Sequence, residues 1–136
     1  MAPIAQEAHL PALDHHRRDE VGRELQATLV ELVGSWRGLS DTVAERAVAL
    51  GFSPDGQAGT VSADSEIPAV ERGTLAAGVV VRELVRRLAD VSERTRERMD
   101  RLGELDLASE DVLIEVLRAL EKQLWMLPVQ LDREER

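Results

Sequence analysis

Two acidic residues on one predicted helix have the type and spacing of metal ligands. Asp41 and Glu45 are four residues apart, so in a helix both carboxylates lie on the same face, one turn from each other. Val43, midway between them, belongs to an apolar stripe, so the pair is expected to point away from the core of its own chain. Carboxylate oxygens suit iron and other divalent cations. Two carboxylates without an imidazole or a third acid bind iron weakly, and the alternative is a pair of ordinary surface acids with Glu45 bound to an arginine.

Few other residues offer chemistry. The chain has no cysteine, which excludes disulfides, thiolate metal sites and cysteine nucleophiles. Its three histidines, His9, His15 and His16, are candidate metal ligands, although adjacent histidines in a polar arm usually have no specific role. Trp36 and Trp125 stand at helical spacing among leucines, which favours packing over redox chemistry.

The charge of the chain limits its partners. A net charge of -9 over 136 residues excludes a globally basic nucleic-acid binder, because binding phosphates requires a clustered positive surface. The short basic patch at 15–18 is flanked by acids and leaves only a weak, salt-dependent DNA contact as an alternative. No apolar run reaches the ~18–20 residues of a membrane span, so we expect a cytoplasmic protein without membrane contacts.

Apolar residues spaced three or four apart predict an all-α domain that carries these groups. We expect a flexible arm over 1–18, a helical domain over 19–131 and a charged tail over 132–136. The predicted helices are Asp19–Leu50 with Gly51 as C-cap, Thr74–Leu102, and Ser109–Leu127 closed by Pro128, with a short helical turn near Ile67–Val70. The long connection at 51–73 suggests a crossover that runs the length of a bundle between two parallel helices.

Two segments resemble motifs of the Dps family of ferritin-like proteins. Residues 41–46 read D-T-V-A-E-R and precede Leu50-Gly51 and Pro54, which resembles the D-x-x-A-E-R motif of that family and the residues that follow it. Residues 121–127 read E-K-Q-L-W-M-L, similar to the E-K-x-x-W-M-L ending of the fourth helix of the family. The likeness covers roughly residues 20–130.

The resemblance implies a four-helix bundle that assembles into a hollow dodecameric cage, oxidises ferrous iron, stores the ferric product and in many members binds DNA. It implies that Asp41 and Glu45 are iron ligands at a two-fold interface, where the other subunit supplies two histidines and an aspartate from an H-W…H-x-x-x-D stretch. Acidic residues at the turn between the third and fourth helices resemble the acidic pores that guide iron into cages of the family, with helix capping as the alternative. These acids are Glu104, Asp106, Glu110 and Asp111.

The histidine-bearing stretch of the family is missing here. Only Gly34 and Ser35 separate a segment like the first family helix, 25–33, from one like the second, 36–46. We therefore expect an incomplete ferroxidase site, or alternatively a non-catalytic subunit that oligomerises or co-assembles with a complete paralogue. The unbroken stripe favours one continuous helix over a tight turn at Gly34-Ser35. Either arrangement uncovers several leucines, so oligomerisation is expected.

Overall fold

Three long helices and one short helix form the described part of the chain. The structure is a computed structural model that describes residues 12–135, with the side chains of 16–132. The helices are α1 (Ala12–Ala49), α2 (Ala58–Asp64), α3 (Ala77–Gly103) and α4 (Leu107–Glu135). No strand occurs between residues 12 and 135, so the prediction of an all-α domain is confirmed.

Helix α1 is one unbroken helix of 38 residues, which makes it about 57 Å long. Gly34 and Ser35 lie inside it, so the continuous helix is confirmed and the tight turn at these residues is wrong. The helix begins at Ala12, seven residues before the predicted start, because residues 12–18 contain no proline or glycine to interrupt it. The remainder of the expected arm, 1–11, lies outside the described residues.

The end of α1 is a glycine cap. Gly51 has a φ of 91°, a left-handed conformation that glycine adopts without steric strain. The N–H of Gly51 donates to the carbonyl of Val48, and the N–H of Phe52 donates to the carbonyl of Ala47. These two bonds form the Schellman motif and satisfy carbonyls at the helix end. The predicted role of Gly51 is confirmed.

The contacts of α1 fix the directions of the three long helices. Near its start, Leu25 lies beside Val81 of α3 and Leu127 of α4. Near its end, Arg46 contacts Asp106 and Ser109 at the start of α4. Helix α1 is therefore parallel to α3 and antiparallel to α4. The chain must run back along the bundle between α1 and α3, as predicted from the long connection.

The core is aliphatic and lies where α4 meets the other two long helices. α3 and α4 pack along much of their length, α1 packs mainly on α4, and α1 meets α3 at only a few positions. The buried cluster consists of Leu25, Val81, Leu88, Leu120 and Leu127. The bundle is consequently closed around α4 and open between α1 and α3.

The short helix lies elsewhere in the crossover than predicted. α2 spans Ala58–Asp64, whereas Ile67–Val70 is not helical. The carboxylate of Asp55 accepts hydrogen bonds from the N–H of Gln57 (2.9 Å) and the hydroxyl of Thr60 (2.8 Å), which form an Asx turn just before the helix. Pro68 disfavours a helical conformation at the residue before it. The prediction of a short helical turn near Ile67–Val70 is therefore wrong, and the short helix of the crossover is Ala58–Asp64.

Helix α4 does not end at Pro128 but continues to Glu135 with the proline inside it. A proline in a helix removes one backbone hydrogen bond. The next turn is held by tertiary contacts, because Leu127 and Leu131 pack in the core and Gln130 exchanges hydrogen bonds with Thr28 (3.0 and 2.7 Å). Packing thus outweighs the local preference of proline to end the helix.

Candidate metal centre

Asp41 and Glu45 both lie on the exposed side of α1, away from the residues that α1 packs on α4. Among residues 16–132 neither carboxylate has a hydrogen bond or an ion pair. In the same part of the chain no group of three or more histidine, aspartate or glutamate side chains is arranged to hold a metal ion. The described chain therefore offers two outward carboxylates, and a third ligand would have to come from elsewhere.

The arginine next to this pair is used in the fold. The Arg46 guanidinium forms an ion pair with Asp106 at 2.6 Å, and its Nε donates to the Ser109 hydroxyl at 3.1 Å. The expected alternative, Glu45 bound to an arginine, does not occur within residues 16–132. Sequence reasoning missed the Arg46 contact because its partner is 60 residues away. The contact holds the end of α1 against the start of α4. Asp41 and Glu45 lie in the same part of α1, so the contact also fixes their position.

Asp106 has a structural role at the start of α4. Its carboxylate accepts hydrogen bonds from the Ser109 hydroxyl and from the N–H of Ala108, and its carbonyl accepts the N–H of Glu110. This is N-terminal capping, the alternative considered for the acidic turn. Gly103 faces the same turn, where an added Cβ would lie 2.9 Å from the Glu110 carboxylate, so only glycine fits without displacing that side chain.

The capping contacts of Asp106 predict a pH dependence of stability. Hydrogen bonds from Ser109 and Arg46 lower the pKa of Asp106 below its ordinary value of 3.8. A lowered folded-state pKa means that the ionised carboxylate stabilises the fold above that ordinary value, and the stabilisation is lost as the pH falls through the folded-state pKa. Asp106→Asn is therefore expected to lower the urea midpoint at pH 7, and the difference between the two midpoints should be smaller at pH 3.

Asp100→Asn on the exposed side of α3 is the control, because Asp100 has no hydrogen bond or ion pair within residues 16–132. Its midpoint should follow that of the wild type at both pH values. If the urea midpoints of Asp106→Asn and the wild type differ equally at pH 7 and at pH 3, the charge of Asp106 is not the cause of the difference.

The two tryptophans differ in environment. Trp36 packs against the core, and its Nε1 donates to Oε1 of Gln123 at 2.8 Å, so the prediction of a packing role is confirmed. Trp125 is 61% exposed, so the same prediction is wrong for this residue within the described chain. Trp125 lies on the side of α4 opposite Leu120 and Leu127, which face the core, and helical spacing alone did not reveal that.

Of the three histidines considered as candidate metal ligands, the described side chain of His16 is not brought to Asp41 and Glu45. His16 is exposed near the start of α1, and 25 positions along one helix separate it from Asp41, about 37 Å at 1.5 Å per residue. His9 and the side chain of His15 lie outside the described residues. No helix within residues 12–135 is long and apolar enough to cross a membrane.

The sequence of this chain is similar to a family of known proteins. A family model for the ferritin-like domain matches residues 14–136. A DNA protection during starvation protein from Mycolicibacterium smegmatis is 40% identical over 105 residues, which cover 76% of this chain and 55% of that protein. DNA protection during starvation protein 2 from Deinococcus radiodurans is 32% identical over 111 residues, which cover 79% of this chain and 46% of that protein. The chain spans about half the length of these curated relatives.

Two solved structures share the fold. A C-terminal deletion mutant of Mycobacterium smegmatis Dps superposes with a TM-score of 0.64 at 37% identity, covering 78% of this chain and 72% of the other. A point mutant of Dps1 from the same organism gives a TM-score of 0.65 at 36% identity, covering 86% and 79%. The match extends over most of both chains, so it concerns the whole helical domain and not one motif.

Proposed function

Because the chain belongs to the Dps family of ferritin-like proteins, we propose that it is an iron-handling subunit with an incomplete site for oxidising ferrous iron. Asp41 and Glu45 are its contribution to that site. The observation that carries the proposal is their geometry: two carboxylates one turn apart, both exposed and both without partners among residues 16–132. Ferrous iron is the substrate, and each ion gives one electron to dioxygen or peroxide.

The role of the chain in this reaction is to hold the ion. Carboxylate oxygens suit ferrous iron. They bind ferric iron more strongly than ferrous iron, because the ferric ion carries the higher charge. Because no third ligand is arranged beside the pair in the described chain, the remaining ligands come from a neighbouring subunit. Arg46 is a positioning residue, since its ion pair with Asp106 holds the last turns of α1 in place.

Ferrous iron oxidation at pH 7 tests the proposal. The wild type is expected to oxidise iron faster than buffer, and Asp41→Ala/Glu45→Ala is expected to reduce the rate to that of buffer. The matched control is Glu20→Ala/Glu24→Ala, a second exposed pair of acids four residues apart on α1. This control removes the same charge from the same helix. Equal rates for the two double variants would contradict a specific role of Asp41 and Glu45.

A second candidate function is a non-catalytic subunit that oligomerises or co-assembles with a complete paralogue. The open side between α1 and α3 supports it, because an unpaired apolar face favours association. Mixing the chain with the Mycolicibacterium smegmatis relative and measuring iron oxidation separates the candidates. A mixed assembly whose rate is unchanged by Asp41→Ala/Glu45→Ala supports the non-catalytic role.

DNA protection and a cytoplasmic, nucleoid-associated location are also part of this proposal. Arg17 and His16 are exposed on α1, and the net charge is -9. Any DNA contact through this short patch is expected to be weak and to disappear as salt is raised. A gel-shift titration between low and physiological salt measures it.

A further inference from the structure

The crossover between α1 and α3 contains the only aspartate–glycine pair of the chain. Asp55 is followed by Gly56, no other aspartate precedes a glycine, and the chain has no asparagine. The pair lies in the irregular segment 52–57 before α2, and both residues are exposed. An aspartate in such a place can react with the backbone nitrogen that follows it. A following glycine favours this reaction, because it has no Cβ to hinder the approach and restricts the backbone least.

The backbone nitrogen of Gly56 is available for this reaction. Its N–H makes no hydrogen bond within residues 16–132, and a Cβ added at this position would meet nothing within 4 Å. By contrast, the N–H of Ser65, which follows Asp64 at the end of α2, donates to the carbonyl of Val61 at 3.0 Å. The nitrogen of Gly56 is therefore free to approach the preceding carboxyl carbon, whereas that of Ser65 is held.

The other described aspartates lack this freedom. All of them except Asp106 lie within helices, where the regular backbone fixes the position of the following nitrogen. Asp106 is followed by the bulky Leu107 at the start of α4, and its carboxylate is bound by Arg46 and Ser109. Asp55 is therefore the one described aspartate with a free and unhindered nitrogen beside it.

We infer that Asp55–Gly56 is a site of spontaneous isomerisation to isoaspartate, whose rate is held down by the hydrogen bonds of the Asp55 carboxylate. The nitrogen of Gly56 attacks Cγ of the protonated carboxyl group, the N–Cγ bond forms, and the hydroxyl leaves as water with the amide proton. Water then opens the five-membered imide. Addition at Cγ restores aspartate, and addition at the main-chain carbonyl of Asp55 leaves the chain linked through Cγ. No oxidant or reductant is needed, and the reaction does not depend on the proposed function.

Two hydrogen bonds oppose the ring closure. One carboxylate oxygen of Asp55 accepts the N–H of Gln57 at 2.9 Å, and the other accepts the hydroxyl of Thr60 at 2.8 Å. These bonds lower the pKa of Asp55, with the N–H of Gln57 as the larger cause, so less of the reactive protonated form is present. Because one of the two oxygens leaves as water, at least one of the bonds must also break before the ring closes.

The modification loosens the start of α2 and leaves the bundle in place. Isoaspartate lengthens the backbone and moves the free carboxylate onto Cα, away from its place beside Gln57 and Thr60. α2 has no buried residue, so no core contact is lost with it. The later part of the crossover stays attached to α3, because Arg87 donates to the carbonyls of Pro68 at 2.9 Å and Ala69 at 2.8 Å.

Prolonged incubation of the full chain at neutral pH, followed by peptide mapping, is the first test. Electron-transfer fragmentation distinguishes isoaspartate from aspartate at each position. The wild type is expected to accumulate isoaspartate at Asp55. Asp64 is the internal control, because it is an exposed aspartate of the same crossover whose following nitrogen is held. No isoaspartate at Asp55, or an equal amount at Asp64, would overturn the inference.

Replacing Gly56 with alanine tests the attacking nitrogen without disturbing the fold. Gly56 has no positive φ, and an added Cβ meets open space, so alanine fits. Its methyl group hinders the ring closure, and isoaspartate at Asp55 is expected to fall several-fold. Gly59→Ala is the matched control, a second crossover glycine with open space around its Cβ, and should leave the amount unchanged. Equal amounts in the two variants would contradict attack by the nitrogen of Gly56.

Replacing Thr60 with valine tests the protective hydrogen bond. The loss of one hydrogen bond is expected to raise the rate of isoaspartate formation at Asp55 about two- to tenfold. Thr42→Val is the control, since it makes the same change in α1, where the hydroxyl bonds the carbonyl of Gly38. A rate that Thr60→Val leaves at the value of the control would show that the carboxylate bonds do not protect the site.

Discussion

Replacing Leu127 with alanine is expected to lower the free energy of unfolding by about 2–5 kcal/mol. Leu127 is the most buried large side chain described, at 2% exposure, and it lies where Leu25 of α1, Val81 of α3 and Leu131 of α4 meet. Shortening it leaves a cavity at a point where all three long helices meet. A net stability of about 5–15 kcal/mol makes this a large fraction of the total.

Urea unfolding followed by circular dichroism measures the effect. Leu105→Ala is the control, because Leu105 is 81% exposed in the turn between α3 and α4 and should change the free energy of unfolding by less than about 0.5 kcal/mol. Similar losses for the two variants would mean that the contacts of Leu127 do not hold α4 to α1 and α3.

Replacing Gln123 with leucine is expected to destabilise the chain by about 1–3 kcal/mol. Gln123 is buried on α4, accepts a hydrogen bond from Trp36 at 2.8 Å and donates a longer one to Ser35 at 3.4 Å. Leucine fills a similar volume but leaves the indole N–H of Trp36 without an acceptor in a part-buried position. The penalty comes from that unsatisfied donor rather than from lost packing.

A double-mutant cycle isolates the Trp36–Gln123 hydrogen bond. Trp36→Phe removes the donor, so Trp36→Phe/Gln123→Leu has neither partner and should be less unstable than the sum of the two single variants. Urea unfolding of the four proteins gives the coupling energy. Strict additivity would show that the hydrogen bond contributes nothing to the attachment of α1 to α4.

Much of the fold could be predicted from the spacing of apolar residues, because a continuous stripe specifies a continuous helix. The stripe through Gly34 and Ser35 favoured the unbroken α1 that the structure shows. The errors arise where tertiary contacts override local preference. Pro128 predicted the end of α4, but the contacts of Leu131 and Gln130 carry the helix past it.

The candidate site could be predicted only in part. The orientation of Asp41 and Glu45 followed from helical geometry, and both are exposed as expected. The contact between Arg46 and Asp106 joins residues 60 positions apart, and no local pattern in one sequence specifies such a pair. The assignment of Asp41 and Glu45 as iron ligands stays a prediction, because no third ligand is arranged beside them among the described residues.

The direction of α1 also determines where attached segments leave the molecule. α1 begins and α4 finishes at the same end of the bundle, while the Arg46–Asp106 ion pair lies at the other end. Any peptide fused ahead of α1 and any fused behind α4 would therefore emerge side by side. Fluorophores attached at the start of α1 and at the end of α4 would therefore lie at one end of the bundle, away from the Arg46–Asp106 ion pair.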